Sequence, residues 1–376
     1  MARMHTKKGV AATVAAAFAL SLAACANDDT TSAGPSTDGA SSEAPAGDDQ
    51  SGGEETVNVT LILKDLVNPF FVALEQGAQE QAKKDNVSIT VEAGSRDGDE
   101  QGQIQAIENA ITRGDDGILI LPSGPGVYDA ITKAREAGLV VIGLDTPTDP
   151  ADIVDITFAT DNYGAGLQVG EWAAQKMAGT KAVIALLDQF DDRIIQTDLN
   201  RNQGFLAGMG IDLADPKQKG DEAKSGSYNG GEYEIACQEP TAGGSQDGGR
   251  TAMENCLTAN PDINLVYTIN EPAAAGAWAA IEAAGLQDQI TIVSIDGACE
   301  GVRLVEEGVL GATSMQFPVV MAEKGVETIA AVARGGSLPA VSEGLDFFNT
   351  GTELVAADGF GLSFLTPQEA TSRCWG

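Results

Sequence analysis

From residue 57 onward the sequence repeats one pattern, in which short apolar runs alternate with stretches of helical periodicity. The apolar runs are continuous, rich in β-branched residues and bounded by Gly, Asp or Pro, as expected for strands buried on both faces. Repeated strand–helix units of this length predict an α/β fold with parallel, doubly wound sheets. The predicted strands are 57–63, 87–92, 117–121, 139–144, 153–159, 182–187, 263–268, 290–295 and 309–313. The predicted helices are 69–84, 101–112, 126–137, 163–177, 194–209, 249–258, 273–284, 299–307 and 319–333.

These units form two series with no long linker between them, so we expect two similar α/β lobes that share more than one connection. The segment 210–249 is rich in Gly, Asp and Ser and is predicted to be an irregular insertion.

The first strand runs directly into Asn68-Pro69-Phe70-Phe71. Asn is a favoured helix N-cap and Pro a favoured first helical residue, so a helix is predicted to begin here. The carboxyl end of a strand and the amino end of a helix then meet at one corner, which is where ligands bind in open parallel sheets. Two aromatic rings and an amide at this corner suggest a site that stacks on a ring-shaped ligand. The alternative is a capped helix whose aromatic residues belong to the core.

Residues 1–24 have the pattern of a bacterial export signal, with Arg3, Lys7 and Lys8 preceding an apolar run that is too short to span a bilayer. Small residues directly before Cys25 indicate a lipoprotein signal, with cleavage before Cys25 and lipid attached to it. The alternative is ordinary cleavage beside an incidental cysteine. We therefore expect an exported protein anchored at the outer face of the cell membrane.

Residues 25–56 are predicted to be the lipidated cysteine followed by a disordered acidic tether. Ala26–Glu55 contains no Lys, Arg, aromatic or β-branched aliphatic residue, so it cannot form a core.

The charge and the histidine content exclude several functions. The net charge is −33, from 22 Lys+Arg and 55 Asp+Glu, which argues against nucleic-acid binding. The single histidine, His5, lies in the predicted signal, so the processed chain has no Ser-His-Asp or Cys-His catalysis and no histidine metal ligand. We expect a non-enzymatic protein with no metal and no cofactor.

Four cysteines remain after Cys25, and an even number in an exported protein fits two disulfides. Three pairings are possible. We favour Cys237–Cys256, which closes a short loop, together with Cys299–Cys374, which ties down the tail.

Six short motifs carry a resemblance to a known family, and it extends from about residue 57 to the C-terminus. The motifs are Asn68-Pro69-Phe70-Phe71, Val141-Ile142-Gly143-Leu144-Asp145, Ala159-Thr160-Asp161-Asn162, Asn270-Glu271-Pro272-Ala273-Ala274, Ser294-Ile295-Asp296-Gly297 and Ala312-Thr313-Ser314-Met315-Gln316. In this order the sequence resembles the periplasmic sugar-binding proteins of bacterial ABC importers, in the type I class for ribose, fructose and galactose. Segments 145–150, 249–255, 267–277 and 374–376 look most like the fructose-binding member.

The resemblance implies two Rossmann-like lobes joined by a three-strand hinge. The N-lobe would be 57–160 with 317–350, and the C-lobe 161–316 with 351–376. It also implies a monomer that binds a monosaccharide between the lobes and delivers it to the transmembrane subunits of an ABC permease.

The resemblance also implies a set of sugar-binding residues. Asp145 and Asp296 end predicted strands and would accept hydroxyl protons; by position alone, each could equally cap a turn. Arg201 would donate to adjacent hydroxyls, although alone it reads as a solvated helix residue. Asn270 and Gln316 would offer amides, with turn and hinge structure as their alternatives. Asn68 would contact a hydroxyl, and Phe70 and Phe71 would form an aromatic wall.

The sequence departs from the ribose-binding pattern at two positions. Ile295 stands where an aromatic residue is expected, and Thr146 where an arginine is expected. Phe190 or Arg193 could substitute. These differences favour a hexose or a fructose-like ketose over ribose. The alternatives to a transport protein are a sugar sensor for a membrane kinase and a carboxylate-dependent glycoside-processing enzyme that uses Asp145 and Asp296.

Overall fold

The computed structural model describes residues 55–376. The predicted signal, the lipidated Cys25 and almost all of the predicted tether lie outside the described residues. Among the described residues, no helix is long and apolar enough to cross a membrane.

The strands of the first sheet are β1 (Val57–Leu63), β2 (Val87–Ala93), β3 (Gly117–Ile120), β4 (Val140–Leu144), β5 (Ile156–Ala159) and β12 (Phe348–Asn349). They are all parallel and lie in the order β12-β5-β4-β3-β1-β2. Every residue of β3 and β5 is buried, as the continuous apolar runs predict.

The strands of the second sheet are β6 (Ala182–Asp188), β7 (Ser225–Tyr228), β8 (Gly231–Pro240), β9 (Leu265–Thr268), β10 (Thr291–Asp296), β11 (Ala312–Met315) and β13 (Glu353–Ala356). They lie in the order β13-β11-β10-β9-β6-β8-β7, in which the two edge strands β7 and β13 are antiparallel to their neighbours and the other strands are parallel.

The helices alternate with these strands. They are α1 (Pro69–Lys84), α2 (Glu100–Arg113), α3 (Tyr128–Glu136), α4 (Asn162–Lys176), α5 (Gln196–Met209), α6 (Gln246–Ala259), α7 (Glu271–Ala283), α8 (Cys299–Glu306), α9 (Pro318–Ala333) and α10 (Pro367–Ala370). The sheets and helices confirm the predicted two-lobed α/β fold class.

The chain passes between the two sheets three times: after β5, after β11, and between β12 and β13. Hydrogen bonds tie these three segments together. Thr160 Oγ1 donates to Gln316 Oε1 at 3.1 Å, Asp161 N donates to Asn349 Oδ1 at 3.1 Å, and Thr352 Oγ1 donates to Met315 O at 2.9 Å. The hinge between the lobes is therefore a bonded unit.

The prediction of an irregular insertion over 210–249 is wrong for residues 225–240. The hairpin formed by β7 and β8 lies within it, and β8 extends the second sheet by pairing with β6. The period-2 burial of Tyr233 and Ile235 is short, and the surrounding Gly, Asp and Glu residues obscured it. The part before β7, residues 210–224, contains neither helix nor strand.

Both predicted disulfides are present, Cys237–Cys256 and Cys299–Cys374. The first joins β8 to α6, and the second joins the start of α8 to the C-terminal tail. The tail residue Trp375 packs into the hydrophobic core that contains Phe70 and Phe71.

Candidate functional site

One cavity between the two sheets brings together all eight of the sugar-binding residues predicted from the sequence. They are Asn68, Phe70, Phe71, Asp145, Arg201, Asn270, Asp296 and Gln316. Its empty volume is about 380 Å³, partly open to solvent. The cavity also has Lys64, Asp97, Gln189, Thr197 and Ile269 in its lining.

Asn68 forms the corner as its sequence predicts. Its side-chain Oδ1 accepts from Phe70 N at 3.0 Å and so caps α1. The preceding turn is held by Asp65, whose Oδ1 accepts from Val67 N and Asn68 N, each at 2.8 Å. Asn68 therefore caps the helix and also belongs to the lining of the cavity.

Phe70 and Phe71 belong both to the cavity wall and to the core. Their side chains are almost completely buried, and their rings meet edge to face at 5.8 Å. The Phe70 ring also meets the Trp375 ring at 5.4 Å, edge to face. The two interpretations of this corner, wall or core, are therefore not exclusive.

Phe71→Ala tests which of the two roles dominates. If Phe71 is the stacking surface, we expect sugar affinity to fall by about 10- to 100-fold, since burying an aromatic side chain against a ligand contributes about 1.5–3 kcal/mol. The melting temperature of the empty protein should change less than that of Phe158→Ala, a matched control that is fully buried in the same core. Calorimetric titration and thermal melts measure both quantities. A large loss of stability with unchanged affinity would assign Phe71 to the core.

Asp145 lies directly after β4 in a left-handed conformation, with φ of 63°, which Asp tolerates better than most residues. Its carboxylate accepts from Thr146 Oγ1 at 2.8 Å. Lys64 Nζ lies 3.8 Å from this carboxylate and 3.9 Å from that of Asp97. These three charged groups belong to the lobe built on the first sheet, called here the first lobe, and they meet at one end of the cavity.

Arg201 reaches the cavity from α5, and its guanidinium is held in place on two sides. Nε donates to Asn162 Oδ1 at 2.8 Å, and Nη1 donates to Ile269 O at 2.9 Å. Helix α5 packs very closely against α4, as shown at Gly166, where an added Cβ would lie only 2.2 Å from Arg201 O. Arg201 is thus a buried, preorganised donor, and its reading as a solvated helix residue is wrong.

Asp296 lies at the end of β10, next to the hinge. Its Oδ1 accepts from Gln316 Nε2 at 2.7 Å and lies 3.8 Å from Arg201 Nη1. Gln316 Oε1 accepts from Thr160, so this amide connects the cavity to the hinge. Asn270 caps α7 through Oδ1, which accepts from Ala273 N at 3.0 Å, and its side chain lines the cavity.

Burial raises the pKa values of three carboxyl groups in and beside the cavity. It raises the pKa of Asp296 to about 6, against the lowering effect of the Arg201 charge. Burial, followed by the nearby Asp296 charge, raises the pKa of Glu271 to about 8. Asp97 also has a raised pKa, with burial the main cause and Lys64 opposing it. Each of these groups binds its proton more tightly in the folded chain than in the unfolded one.

These shifts predict opposite pH effects on affinity and on stability. If ionised Asp296 accepts sugar hydroxyls, affinity should fall about tenfold between pH 7 and 5, because its carboxyl becomes protonated below about 6. The empty protein should gain stability over the same interval, since its folded state binds more protons than its unfolded state. Titrations and melts at both pH values measure the two effects. Asp296→Asn should reduce the pH dependence of whatever affinity remains, and a wild-type affinity independent of pH would contradict the prediction.

Sequence reasoning missed four polar residues of the lining, Lys64, Asp97, Gln189 and Thr197. Lys64 carried a signal, because it is a charged residue at the end of an apolar strand, immediately before the Asn-Pro corner. Asp97, Gln189 and Thr197 lie in or beside loops whose course is not encoded by periodicity.

Gln189 and Asp97 join the two lobes across the cavity. Gln189 Nε2 donates to Asp97 Oδ2 at 2.6 Å. The side-chain oxygens Asp97 Oδ1 and Gln189 Oε1 are buried and have no hydrogen-bond partner among the described residues. Because an unpaired buried acceptor is costly, these atoms indicate that a hydrogen-bond donor belongs in the cavity.

The suggested replacements for the missing ring and arginine are not in the lining. Phe190 and Arg193 lie in the loop beyond Gln189 and contact Gly98 of the other lobe. Ile295 is fully buried in the core of the second lobe, and Thr146 bonds to Asp145. Among the described residues, the aromatic side chains of the lining, Phe70 and Phe71, both come from the first lobe.

Among the described residues, no group of three or more His, Cys, Asp or Glu side chains could hold a metal ion.

Comparisons with known proteins agree with this geometry. The family described as "Periplasmic binding protein domain" matches residues 59–337. The ribose import binding protein of Escherichia coli is 29% identical over 283 residues, which cover 75% of this chain and 86% of that protein. The D-ribose/D-allose-binding protein of Pseudomonas aeruginosa is 26% identical over 314 residues, with coverages of 81% and 90%.

A solved structure shows the same fold. The periplasmic solute-binding protein of an ABC transporter from Actinobacillus succinogenes, with bound D-allose, superposes with a TM-score of 0.68 at 22% identity. The superposition covers 81% of this chain and 99% of that one.

Proposed function

Because this chain belongs to the periplasmic binding protein domain family, we propose that it captures a neutral monosaccharide between its lobes and delivers it to an ABC permease. The observation that carries the proposal is the cavity itself. An aromatic wall lies in the first lobe, and charged groups and amides reach the cavity from both lobes. They include two buried oxygens that have no hydrogen-bond partner among the described residues. A sugar has apolar C–H faces and hydroxyl groups that donate and accept, so it fits such a lining.

The charges of the lining favour a neutral ligand. Two cations, Lys64 and Arg201, share the cavity with three carboxylates, those of Asp97, Asp145 and Asp296. Each cation already lies within 4 Å of a carboxylate, so a sugar acid or sugar phosphate would find no unpaired positive charge. Hydrogen bonds from a hydroxyl to a charged group are worth roughly 1.5–3 kcal/mol, which suits an uncharged polyol.

The proposed ligand-binding residues are the eight predicted from the sequence, joined by Lys64, Asp97 and Gln189. The relatives support a binding role over catalysis, since each is named as a binding protein. Within that role a fructose-like ketose or another hexose is our preferred ligand, because the positions of Ile295 and Thr146 differ from the ribose pattern. The two lobes, with the boundaries predicted from the sequence, would close around the sugar as a monomer.

The test is a thermal-shift panel on protein produced without residues 1–24 and carrying Cys25→Ser. The panel contains D-fructose, D-ribose, D-allose, D-galactose, D-xylose and myo-inositol, with gluconate and glucose 6-phosphate as anionic controls. A sugar at 100 times its dissociation constant should add about 2.7 kcal/mol of stability. Stabilisation by no neutral sugar, or by the anionic controls alone, would refute the proposal. Chemical change of a bound sugar would instead indicate an enzyme.

We also propose that lipid on Cys25 holds the protein at the outer face of the cell membrane. The export signal and the small residues before Cys25 support this proposal. In cells, the wild-type protein should sediment with membranes, and Cys25→Ser should release it into the soluble fraction. The lipid anchor would be contradicted if both the wild type and Cys25→Ser were released, or if neither protein was released.

A further inference from the structure

The loop formed by residues 189–193, which follows β6, joins the two lobes at the edge of the cavity. Gln189 bonds to Asp97 of the first lobe, and Arg193 Nη1 donates to Gly98 O at 3.3 Å. The Phe190 ring lies against Gly98, close enough that a Cβ there would come within 3.3 Å of it. This loop thus carries both a cavity-lining side chain and the contacts that hold the lobes together on that side.

A buried cluster of charges lies beneath the 189–193 loop. Asp188 and Asp198 are its two carboxylates, with side chains 5% and 0% exposed. Lys219 is its cation: Nζ bonds to Asp198 Oδ2, lies 3.5 Å from Asp188 Oδ2 and donates to Phe190 O at 3.0 Å. Asp198 Oδ1 in turn accepts from Gln189 N at 2.9 Å. Two successive backbone groups of the loop are therefore fixed by this cluster.

Lys219 comes from residues 210–224, the irregular segment to which the sequence assigned no role. Its neighbours Lys217 and Gln218 are exposed, whereas the side chain of Lys219 is only 12% exposed. The segment therefore places the ammonium group of Lys219 beneath the 189–193 loop. Two adjacent buried carboxylates require a cation, and this one also binds the loop backbone.

We propose that Lys219 is a positioning residue for ligand binding: it holds the 189–193 loop so that Gln189 and Phe190 meet Asp97 and Gly98 across the cavity. This inference rests on the proposed function, since the cavity must bind a ligand for the position of Gln189 to matter. Lys219 is not part of the cavity lining. Its effect on affinity is transmitted through the Phe190 carbonyl and the Asp198 carboxylate.

The first experiment needs no sugar. Amide hydrogen exchange of the segment 187–196 is compared in the wild type, Lys219→Met and Lys217→Met, the last being an exposed lysine two residues away. We expect the amides of Gln189 and Phe190 to exchange at least tenfold faster in Lys219→Met and at the wild-type rate in Lys217→Met. Exchange at the wild-type rate in Lys219→Met would overturn the proposal.

The second experiment separates positioning from neutralisation of charge. The double variant Lys219→Met with Asp198→Asn removes one buried negative charge together with the cation, so it should regain the melting temperature lost by Lys219→Met. Its amides at 189 and 190 should still exchange faster, because the bond to the Phe190 carbonyl is still missing. If the double variant regains wild-type exchange, Lys219 only balances charge and the proposal is wrong.

The third measurement connects the loop to binding. D-Fructose, D-ribose and D-allose are titrated calorimetrically into the same variants. We expect affinity to fall about 10- to 100-fold in Lys219→Met and in the double variant, and to stay unchanged in Lys217→Met. Wild-type affinity in the double variant would overturn the proposal. If none of the three sugars binds the wild type, the proposed sugar specificity fails, and the exchange data alone decide whether Lys219 holds the loop.

Discussion

Replacing Arg201 with methionine is expected to reduce sugar affinity by at least a hundredfold. The guanidinium lies in the cavity and is buried, with a side-chain exposure of 5%. If it donates two hydrogen bonds to sugar hydroxyls, their loss removes about 3–6 kcal/mol, since each bond to a charged group contributes roughly 1.5–3 kcal/mol. At about 1.4 kcal/mol per factor of ten, this corresponds to a loss of roughly 100- to 10,000-fold. Calorimetric titration with the best sugar of the panel measures it.

The same substitution also removes structural bonds, so its effect on folding must be separated from its effect on binding. Arg201 bonds to Asn162 and to the Ile269 carbonyl, and it is the cation nearest to Asp296. The double variant Arg201→Met with Asp296→Asn leaves no unpaired buried carboxylate at this position. It should therefore recover much of the melting temperature without recovering affinity. Arg250→Met, an exposed arginine of the same lobe, is the matched control and should bind like the wild type.

If Arg201→Met is less stable but binds sugar with wild-type affinity, Arg201 does not donate hydrogen bonds to the sugar and the prediction is wrong. Arg201 would then be a structural residue that connects α5, β10 and the hinge.

Removing the Cys299–Cys374 disulfide is expected to destabilise the folded chain by about 4.5 kcal/mol. Its two cysteines are 75 residues apart, and in the chain-entropy description the stabilisation increases with the length of the closed loop. Cys237–Cys256 has a separation of 19 residues, which corresponds to about 3.3 kcal/mol. The double alanine variant of the longer pair should melt roughly 5–10 °C lower than the wild type. The variant of the shorter pair should show the smaller decrease.

The Cys299–Cys374 disulfide should also affect sugar binding, so the variant without Cys237–Cys256 serves as its control. Cys374 precedes Trp375, whose ring packs against Phe70 and whose indole N–H donates to Gln316 O at 2.8 Å. Releasing the tail would loosen both an aromatic residue of the cavity wall and a hinge residue. We therefore expect weaker sugar binding without Cys299–Cys374 and unchanged binding without Cys237–Cys256. Equal stability losses in the two variants, or a binding defect confined to the shorter pair, would contradict this prediction.

Most of the fold could be predicted because it is encoded in local patterns. Continuous apolar runs such as 182–187 and the cap at Asn68 are short-range features, and the corresponding elements are present. The resemblance to the type I sugar-binding class is confirmed by the family match over residues 59–337. The strand β8 was missed because its pairing with β6 is a long-range contact, and its own sequence is mostly polar or half-buried.

The convergence of the eight predicted residues has a simple physical basis. Most of them follow strands or begin helices, and in parallel sheets the carboxyl ends of the strands meet at one edge. Local sequence therefore places Asn68, Asp145, Asn270 and Asp296 at two sheet edges, and the hinge turns those edges toward each other. The resemblance identified which of the many residues at these edges face the cavity.

The sequence by itself determined the α/β class and the corner at Asn68, because strand periodicity and helix capping are local properties. It left three cysteine pairings open, and the structure selected the one that we favoured. Only the tertiary structure decided that Lys64 meets Asp97 and Asp145, that Gln189 bridges to Asp97, and that Lys219 lies beneath Phe190. Each of these charges is buried through contacts between segments far apart in the chain. A buried charge is costly unless an oppositely charged or hydrogen-bonding partner compensates it, and the loop sequences do not indicate which residue is that partner.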